Sequence, residues 1–282
     1  MNYWGKQAPI LLIVVSVSLI AVSCASGPPA PIKGTPAFYW SAAKETFTAG
    51  DYIKTSDHLG QLARSDNEFA GRARSWRLVL ATGMAKGYME LADRFERGGH
   101  ANRANPTPFR KQMSQYRVSA GQWALQAAET LHAFLEKNPE PKIALDFSYP
   151  SGSAAEIPPL NKIGQGILIQ PAELESVEKQ NVQKAVLLTA CAAVGAADDT
   201  AKTQEVFKAG TAEAPRDTFL FAMANSLFDL SKLFARDKLD HPQRMKALCD
   251  EALEALKGVT ESKKSKELKA RIEKTLKQAK LL

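Results

Sequence analysis

The sequence predicts an all-α fold of antiparallel helical pairs, and three observations lead to that prediction. After Thr35, apolar residues recur at intervals of three and four positions through most of the chain. Residues that end helices interrupt this pattern at regular places, as at Gly50, Gly98 and Asn138. With 45% hydrophobic and 24% charged residues, the composition is that of a globular protein and excludes a mostly disordered or collagen-like chain.

The N-terminal segment is predicted to be a targeting sequence that is not part of the folded domain. One positive charge, Lys6, precedes the uncharged and mostly apolar stretch 8–22, which is shorter than the roughly 20 residues that a spanning helix needs. We therefore interpret 1–23 as a signal peptide and 24–34, which is rich in glycine and proline, as a tether. An uncleaved signal anchor is the alternative.

The segment 20–24 (Ile-Ala-Val-Ser-Cys) resembles a bacterial lipobox, although Ala21 replaces the more usual leucine. In lipoproteins of that kind the chain is cut before the cysteine, so the resemblance implies that Cys24 carries a lipid. Each buried CH₂ of such a lipid contributes about 0.8 kcal/mol, and several chains hold a protein firmly at a membrane. The alanine at 25 implies, by the rule of the same family, sorting to the periplasmic face of the outer membrane.

The helical period divides the body into separate helices. The spans predicted are 36–49, 52–65, 68–97, 107–137, 172–196, 199–210, 216–236, 241–257 and 261–281. The clearest pattern is the third, in which Trp76, Met84 and Tyr88 belong to one apolar stripe. At the eighth, Asp240 is predicted to cap the helix ahead of Pro242.

The exception is the insertion 139–171, which contains six prolines and keeps no helical period. Its short apolar pieces 143–147 and 166–169 either pair as a small hairpin or lie against the helices. A loop of this length is often functional, and a packed insertion between helices is the simpler alternative.

Two stretches, 35–67 and 184–257, resemble tetratricopeptide repeats. In the first, a large residue opens one helix, small residues follow, and Gly50-Asp51-Tyr52 forms the turn to the next. The resemblance implies that 35–282 is one domain of helical pairs stacked as a superhelix, because a single pair cannot bury its apolar face alone. A generic antiparallel bundle would show the same amphipathic pattern.

The repeat geometry also implies which side chains face a groove. These predicted groove residues are Trp40, Phe47, Leu188, Leu220, Leu227 and Phe228. Their apolar character favours a groove that holds an amphipathic partner helix or an apolar ligand. The alternative is that the helices close on one another and these residues form the core.

Most of the net charge of +7 lies in the segment 261–282, which has eight basic and three acidic residues and so a net charge of +5. Its apolar stripe suits a terminal capping helix with an exposed outer face. Attraction to anionic headgroups or an acidic partner is the functional alternative. Nucleic acid is not an expected partner, because no aromatic residues alternate with these lysines.

No motif for a reaction is present: the chain lacks a phosphate loop, a dinucleotide fingerprint, a nucleophile elbow and a zinc-protease motif. His132 and Glu136 lie one helical turn apart, but a metal site would need more ligands on that face. We therefore expect neither a metal nor another cofactor, and no enzyme activity.

Cys191 and Cys249 are expected to be buried, and whether they form a disulfide stays open.

The resulting hypothesis is a lipid-anchored envelope scaffold that holds a protein partner in a helical groove. One alternative is a carrier or receptor subunit for an apolar small molecule. The chain weakly resembles the helical-repeat lipoproteins of tripartite solute uptake systems, which implies such a role. The other alternative is an unrecognised envelope enzyme.

Overall fold

A computed structural model describes residues 31–146, 156–197, 200–207 and 210–279. These residues form ten α-helices and one two-stranded sheet, so the all-α prediction is confirmed. The helices are α1 (Pro36–Thr48), α2 (Tyr52–Arg64), α3 (Ala70–Ala101), α4 (Thr107–Lys137), α5 (Pro158–Gly164), α6 (Pro171–Ala193), α7 (Thr200–Phe207), α8 (Arg216–Ser231), α9 (Pro242–Lys257) and α10 (Lys263–Gln278). The predicted signal peptide and Cys24 lie outside the described residues.

The insertion differs from its prediction in two ways. Strand β1 (Lys142–Leu145) pairs antiparallel with β2 (Ala212–Pro215), so of the two alternatives for 143–147 and 166–169 the hairpin is wrong. A seven-residue helix, α5, follows with two prolines at its start, where a missing N–H costs no hydrogen bond. The helix is too short to show a period in the sequence, and the strand partner lies about 70 residues away along the chain, so local patterns reveal neither.

The turns are formed by a few specific residues. Asp51 caps α2 by accepting a hydrogen bond from the Lys54 N–H at 3.2 Å. The predicted cap at Asp240 is wrong: Asp240 has a left-handed backbone with φ of 51°, and His241 is the N-cap of α9, without a side-chain hydrogen bond. Pro242 does occupy the first turn of α9, as predicted.

Helix α3 is the centre of the fold. It packs against α2, α4, α5, α6 and α8 and against strand β1. The four consecutive residues 78–81 are fully buried, which is typical of a helix surrounded by others. Helix α8 also contacts α4 and α6, so elements far apart in sequence share the core. A solenoid unit contacts only its sequence neighbours, and the predicted repeat superhelix is therefore not confirmed.

Helices α3 and α6 cross at unusually close range. A Cβ atom added to Gly83 would lie 2.5 Å from Val186 Cα, and one added to Gly87 would lie 2.9 Å from Val182 Cα. Beside this contact, the buried amide of Asn181 donates to the Gly87 carbonyl at 2.8 Å. The two glycines thus let the helix backbones approach, and they fix where α6 crosses α3.

The buried side chains form two clusters. The larger one joins α1, α2, the first half of α3, α4 and α8–α10. The smaller one lies around the second half of α3, and its members are Leu91, Ala92, Phe95, Phe109, Tyr116, Ile157, Leu160, Ile163 and Val177. Tyr88 packs against both clusters, so its side chain marks the boundary between them.

Candidate functional site

The structure places five of the six predicted groove residues in the hydrophobic core. Trp40 is stacked on Phe69 with ring centroids 5.1 Å apart, and it meets Trp76 edge-on. Phe47 packs against Tyr52.

The other three buried members are Leu220, Leu227 and Phe228, which are at most 2% exposed. The assignment of these five residues to a groove is corrected, because α1 and α8 turn them toward the other helices. Only Leu188, at 39% exposure on α6, faces solvent.

A cleft of about 790 Å³ lies beside the crossing of α3 and α6, at the N-terminal half of α6. We name it the tyrosine cleft. The α1–α2 turn, α3, α4 and the first half of α6 form it. Its lining residues are Ala49, Gly50, Asp51, Tyr52, Ile53, Met84, Tyr88, Gln112, Tyr116, Pro171, Leu174, Glu175, Glu178, Lys179 and Val182. This volume and this mixture of aromatic, apolar and few polar groups are typical of small-molecule sites.

Two tyrosines and one carboxylate form the polar centre of the cleft. The rings of Tyr88 and Tyr116 are stacked with centroids 6.1 Å apart and an interplanar angle of 20°. Tyr116 donates to Glu178 Oε2 at 3.0 Å, and the charge of the same carboxylate acts on the neighbouring Tyr88 hydroxyl. Burial and the neighbouring carboxylate raise the pKa of Tyr88 to about 12, and they raise the pKa of Tyr116 as well. Both phenols therefore stay protonated and act as donors at neutral pH.

The edge of the cleft joins α6 to the α1–α2 turn. Lys179 donates to the Ala49 carbonyl at 3.3 Å, and its Cε lies 2.9 Å from the position that a Cβ of Gly50 would occupy. Gly50 has a φ of +74°, which favours glycine at this turn. The nearby Asp51 forms an ion pair with Lys54 at 2.7 Å. The hydrogen bond from Lys54 lowers the pKa of Asp51, so this carboxylate is charged at neutral pH.

Apolar groups complete the lining and extend to solvent. Met84, Leu174 and Val182 cover the inner surface, and Ile53 is 57% exposed at the cleft. Together with Glu178, they give an apolar surface with an acceptor at its centre. This arrangement can hold a molecule that has an apolar body and a hydrogen-bond donor or positive charge at one end.

The sequence did not identify the polar centre. Tyr88 belongs to the apolar stripe predicted for the third helix, and that pattern assigns no role to its hydroxyl. The one available signal was its hydroxyl, because a buried tyrosine usually finds a hydrogen-bond partner. The nearby carboxylate of Glu178 is 90 residues further along the chain, so no spacing could connect the two residues.

Other candidate residues have structural contacts. His132 lies between Glu136, at 3.4 Å, and Glu251, at 3.1 Å, and so joins α4 to α9. Within the described ranges, no group of three or more His, Cys, Asp or Glu residues could hold a metal ion. The buried Cys249 is a reduced thiol that donates to Ser231 Oγ at 3.4 Å, so it is not in a disulfide.

Two further findings concern the similarity of the chain to known proteins and the character of its helices. No protein family, curated protein or solved structure matches the chain. In the part of the chain that the structure describes, no helix has both the length and the apolar character to cross a membrane.

Proposed function

We propose that the protein functions by binding a small amine with an apolar body in the tyrosine cleft. The observation that carries this proposal is the pair of stacked, protonated phenols beside the carboxylate of Glu178, to which Tyr116 donates. A carboxylate offers about four acceptor positions, and the Tyr116 phenol occupies one of them. A ligand ammonium group can use the others, and the faces of Tyr88 and Tyr116 attract a cation further.

The charge of the cleft agrees with this choice. Its lining contains the carboxylates of Asp51, Glu175 and Glu178 and the ammonium group of Lys179. Lys179 already donates to a backbone carbonyl, and Asp51 is paired with Lys54. The cleft is therefore negative overall, which favours a positively charged ligand and disfavours an acid of the same shape.

The scaffold hypothesis receives less support from the geometry. It depended on six apolar residues along a groove, of which only Leu188 is exposed. A partner protein held at those positions would have to displace core side chains. Binding of a small molecule, which is the alternative raised by the sequence, needs no such rearrangement because the tyrosine cleft already exists.

The proposal includes the membrane anchor at Cys24, with the binding domain on the periplasmic face of the outer membrane. The lipobox resemblance of 20–24 supports it. Growth with labelled palmitate should mark the wild-type protein and leave the Cys24→Ser variant unmarked. An unlabelled wild-type protein would contradict the anchor and leave the ligand proposal unaffected.

The amine proposal is tested by calorimetric titration with octylamine. Replacing Glu178 by glutamine should weaken binding about tenfold or more, because a hydrogen bond to a charged group contributes about 1.5–3 kcal/mol. Glu173→Gln makes the same chemical change on α6 outside the cleft lining and should leave the affinity unchanged. Octanol, which has no charge, should bind more weakly than octylamine. Equal affinities for both variants, or no binding of octylamine, would exclude the proposal.

A further inference from the structure

A second cleft of about 690 Å³ lies at the other end of α6, and we name it the lysine cleft. Helix α3, the C-terminal end of α6, the first half of α8 and the start of α10 form it. Its lining residues are Lys86, Ala192, Gly195, Ala196, Ala197, Asp217, Thr218, Phe221, Ala222, Asn225, Ser226, Val259, Thr260, Ser262 and Lys264. It shares no lining residue with the tyrosine cleft.

Lys86 is the unusual group in this cleft. Its Nζ donates to the hydroxyl of Ser226 at 2.7 Å, and Ser226 is itself 1% exposed and donates to the Ala222 carbonyl. No carboxylate within the described residues forms an ion pair with Lys86, and Asp229 is paired with Lys232 at 2.7 Å. An ammonium group has three donors, so two N–H groups of Lys86 remain for another acceptor.

Lys86 is half-buried, and its position in the cleft desolvates the ammonium group. Desolvation lowers the pKa of Lys86, and the more distant charge of Asp229 opposes that effect only in part. A cation that is removed from water normally has a charged partner, because the loss of its hydration costs free energy. A ligand anion at Lys86 would supply such a partner.

The charged groups of the lining are Lys86, Lys264 and Asp217, so two positive charges outweigh one negative charge and favour an anion. Asp217, the carboxylate of this lining, accepts a hydrogen bond from the Thr260 N–H at 3.0 Å, which lowers its pKa. Lys264 adds a second positive charge, and the first turn of α10 presents the positive end of its helix dipole. Phe221 and Val259 are partly exposed apolar groups in the same lining.

We propose that the lysine cleft binds a small carboxylic acid with an apolar body, whose carboxylate accepts hydrogen bonds from Lys86. The two available N–H groups of Lys86 match the two oxygens of a carboxylate. The apolar body lies along Phe221 and Val259. A carboxylate fits better than a phosphate dianion, which needs more donors and a second inner cation.

Calorimetric titration with octanoate tests the proposal, with inorganic phosphate and octanol as separate probes. Lys86→Met keeps the length of the side chain and removes the charge, and it should weaken octanoate binding about tenfold or more. Lys269→Met removes the same charge from an exposed position of α10 outside the cleft and should leave the affinity unchanged. Equal affinities for the two variants, or binding of phosphate or octanol as tight as that of octanoate, would overturn the proposal.

A measurement on the wild-type protein removes any dependence on the folding of the variant. Reductive methylation followed by mass spectrometry reports the reactivity of each lysine amine. Octanoate should slow methylation of Lys86 and leave Lys269 unaffected, and octanol should protect neither. Unchanged methylation of Lys86 at saturating octanoate would overturn the proposal.

The two proposals fail independently. Glu178→Gln should leave octanoate binding unchanged, and Lys86→Met should leave octylamine binding unchanged. A protein that binds octanoate and not octylamine would exclude the amine proposal alone, and the reverse result would exclude the carboxylate proposal alone.

Discussion

Replacing Gly83 by alanine is expected to disturb the crossing of α3 and α6, and with it both clefts. The added Cβ would lie 2.5 Å from Val186 Cα and 2.8 Å from Val186 Cγ2. Real Cβ atoms do not approach other heavy atoms so closely, and a Cα atom cannot turn away as the end of a long side chain can. The two helices must therefore separate or slide.

The expected loss of stability follows from two opposing effects. Alanine is favoured over glycine inside a helix by about 1 kcal/mol. Overpacking of a close contact costs up to about 3 kcal/mol, and a backbone obstruction is at the upper end of that range. We therefore expect Gly83→Ala to lower the free energy of unfolding by about 2 kcal/mol, which corresponds to a fall in Tm of roughly 4–8 °C.

Urea unfolding followed by circular dichroism measures this difference, and Gly60→Ala is the matched control. Gly60 is also buried within a helix, but its added Cβ would lie 3.7 Å from the nearest atoms of Arg77, which is ordinary contact. Gly60→Ala should therefore raise the free energy of unfolding by up to about 1 kcal/mol. If Gly83→Ala is as stable as Gly60→Ala, the close crossing is refuted. Gly83→Ala should also weaken both octylamine and octanoate binding, whereas Glu178→Gln and Lys86→Met each affect one ligand.

Two further predictions concern single residues. Lys86→Met should stabilise the fold most at neutral pH. The pKa of Lys86 is lowered in the folded protein, so between the folded and the unfolded pKa the unfolded chain binds more protons. The stability of the wild-type protein therefore rises toward that of the variant as the pH approaches 10.5. Urea unfolding across this pH range measures the gap between the two proteins, and a constant gap would contradict the reasoning. Asp240→Gly should raise the free energy of unfolding by about 1 kcal/mol by relieving a left-handed backbone. Asp237→Gly, where φ is not positive, should give no gain, and equal effects of the two substitutions would exclude this explanation.

The helices could be predicted because their signals are local. The predicted span 107–137 agrees exactly with α4, and the predicted span 36–49 differs from α1 by one residue. An apolar period of 3.6 residues and a terminating glycine or proline act within one or two turns of chain. The strand error occurred where a distant partner decides the structure, because β1 pairs with β2. The error at Asp240 is local, because this residue has a left-handed backbone and its N–H donates to the Ala235 carbonyl.

The site could be predicted much less well. Periodicity shows that Trp40 and Phe228 lie on apolar faces, but it does not show whether such a face meets solvent, a ligand or another helix. The repeat resemblance assigned both residues to a groove, and the packing of α1 and α8 buries them instead. Tyr88 and Lys86 lie on α3 within two residues of each other, and nothing in their local sequence separates their surroundings.

The sequence by itself determined the helical class, the bounds of most helices and the resemblance at Cys24, because each depends on a short run of neighbouring residues. Only the tertiary structure decided that Tyr88, Tyr116 and Glu178 meet in one cleft and that Lys86 lies in another. The physical reason is the close approach of α6 to α3 at Gly83 and Gly87, which depends on the three-dimensional path of the chain between the two helices and on the absence of two side chains.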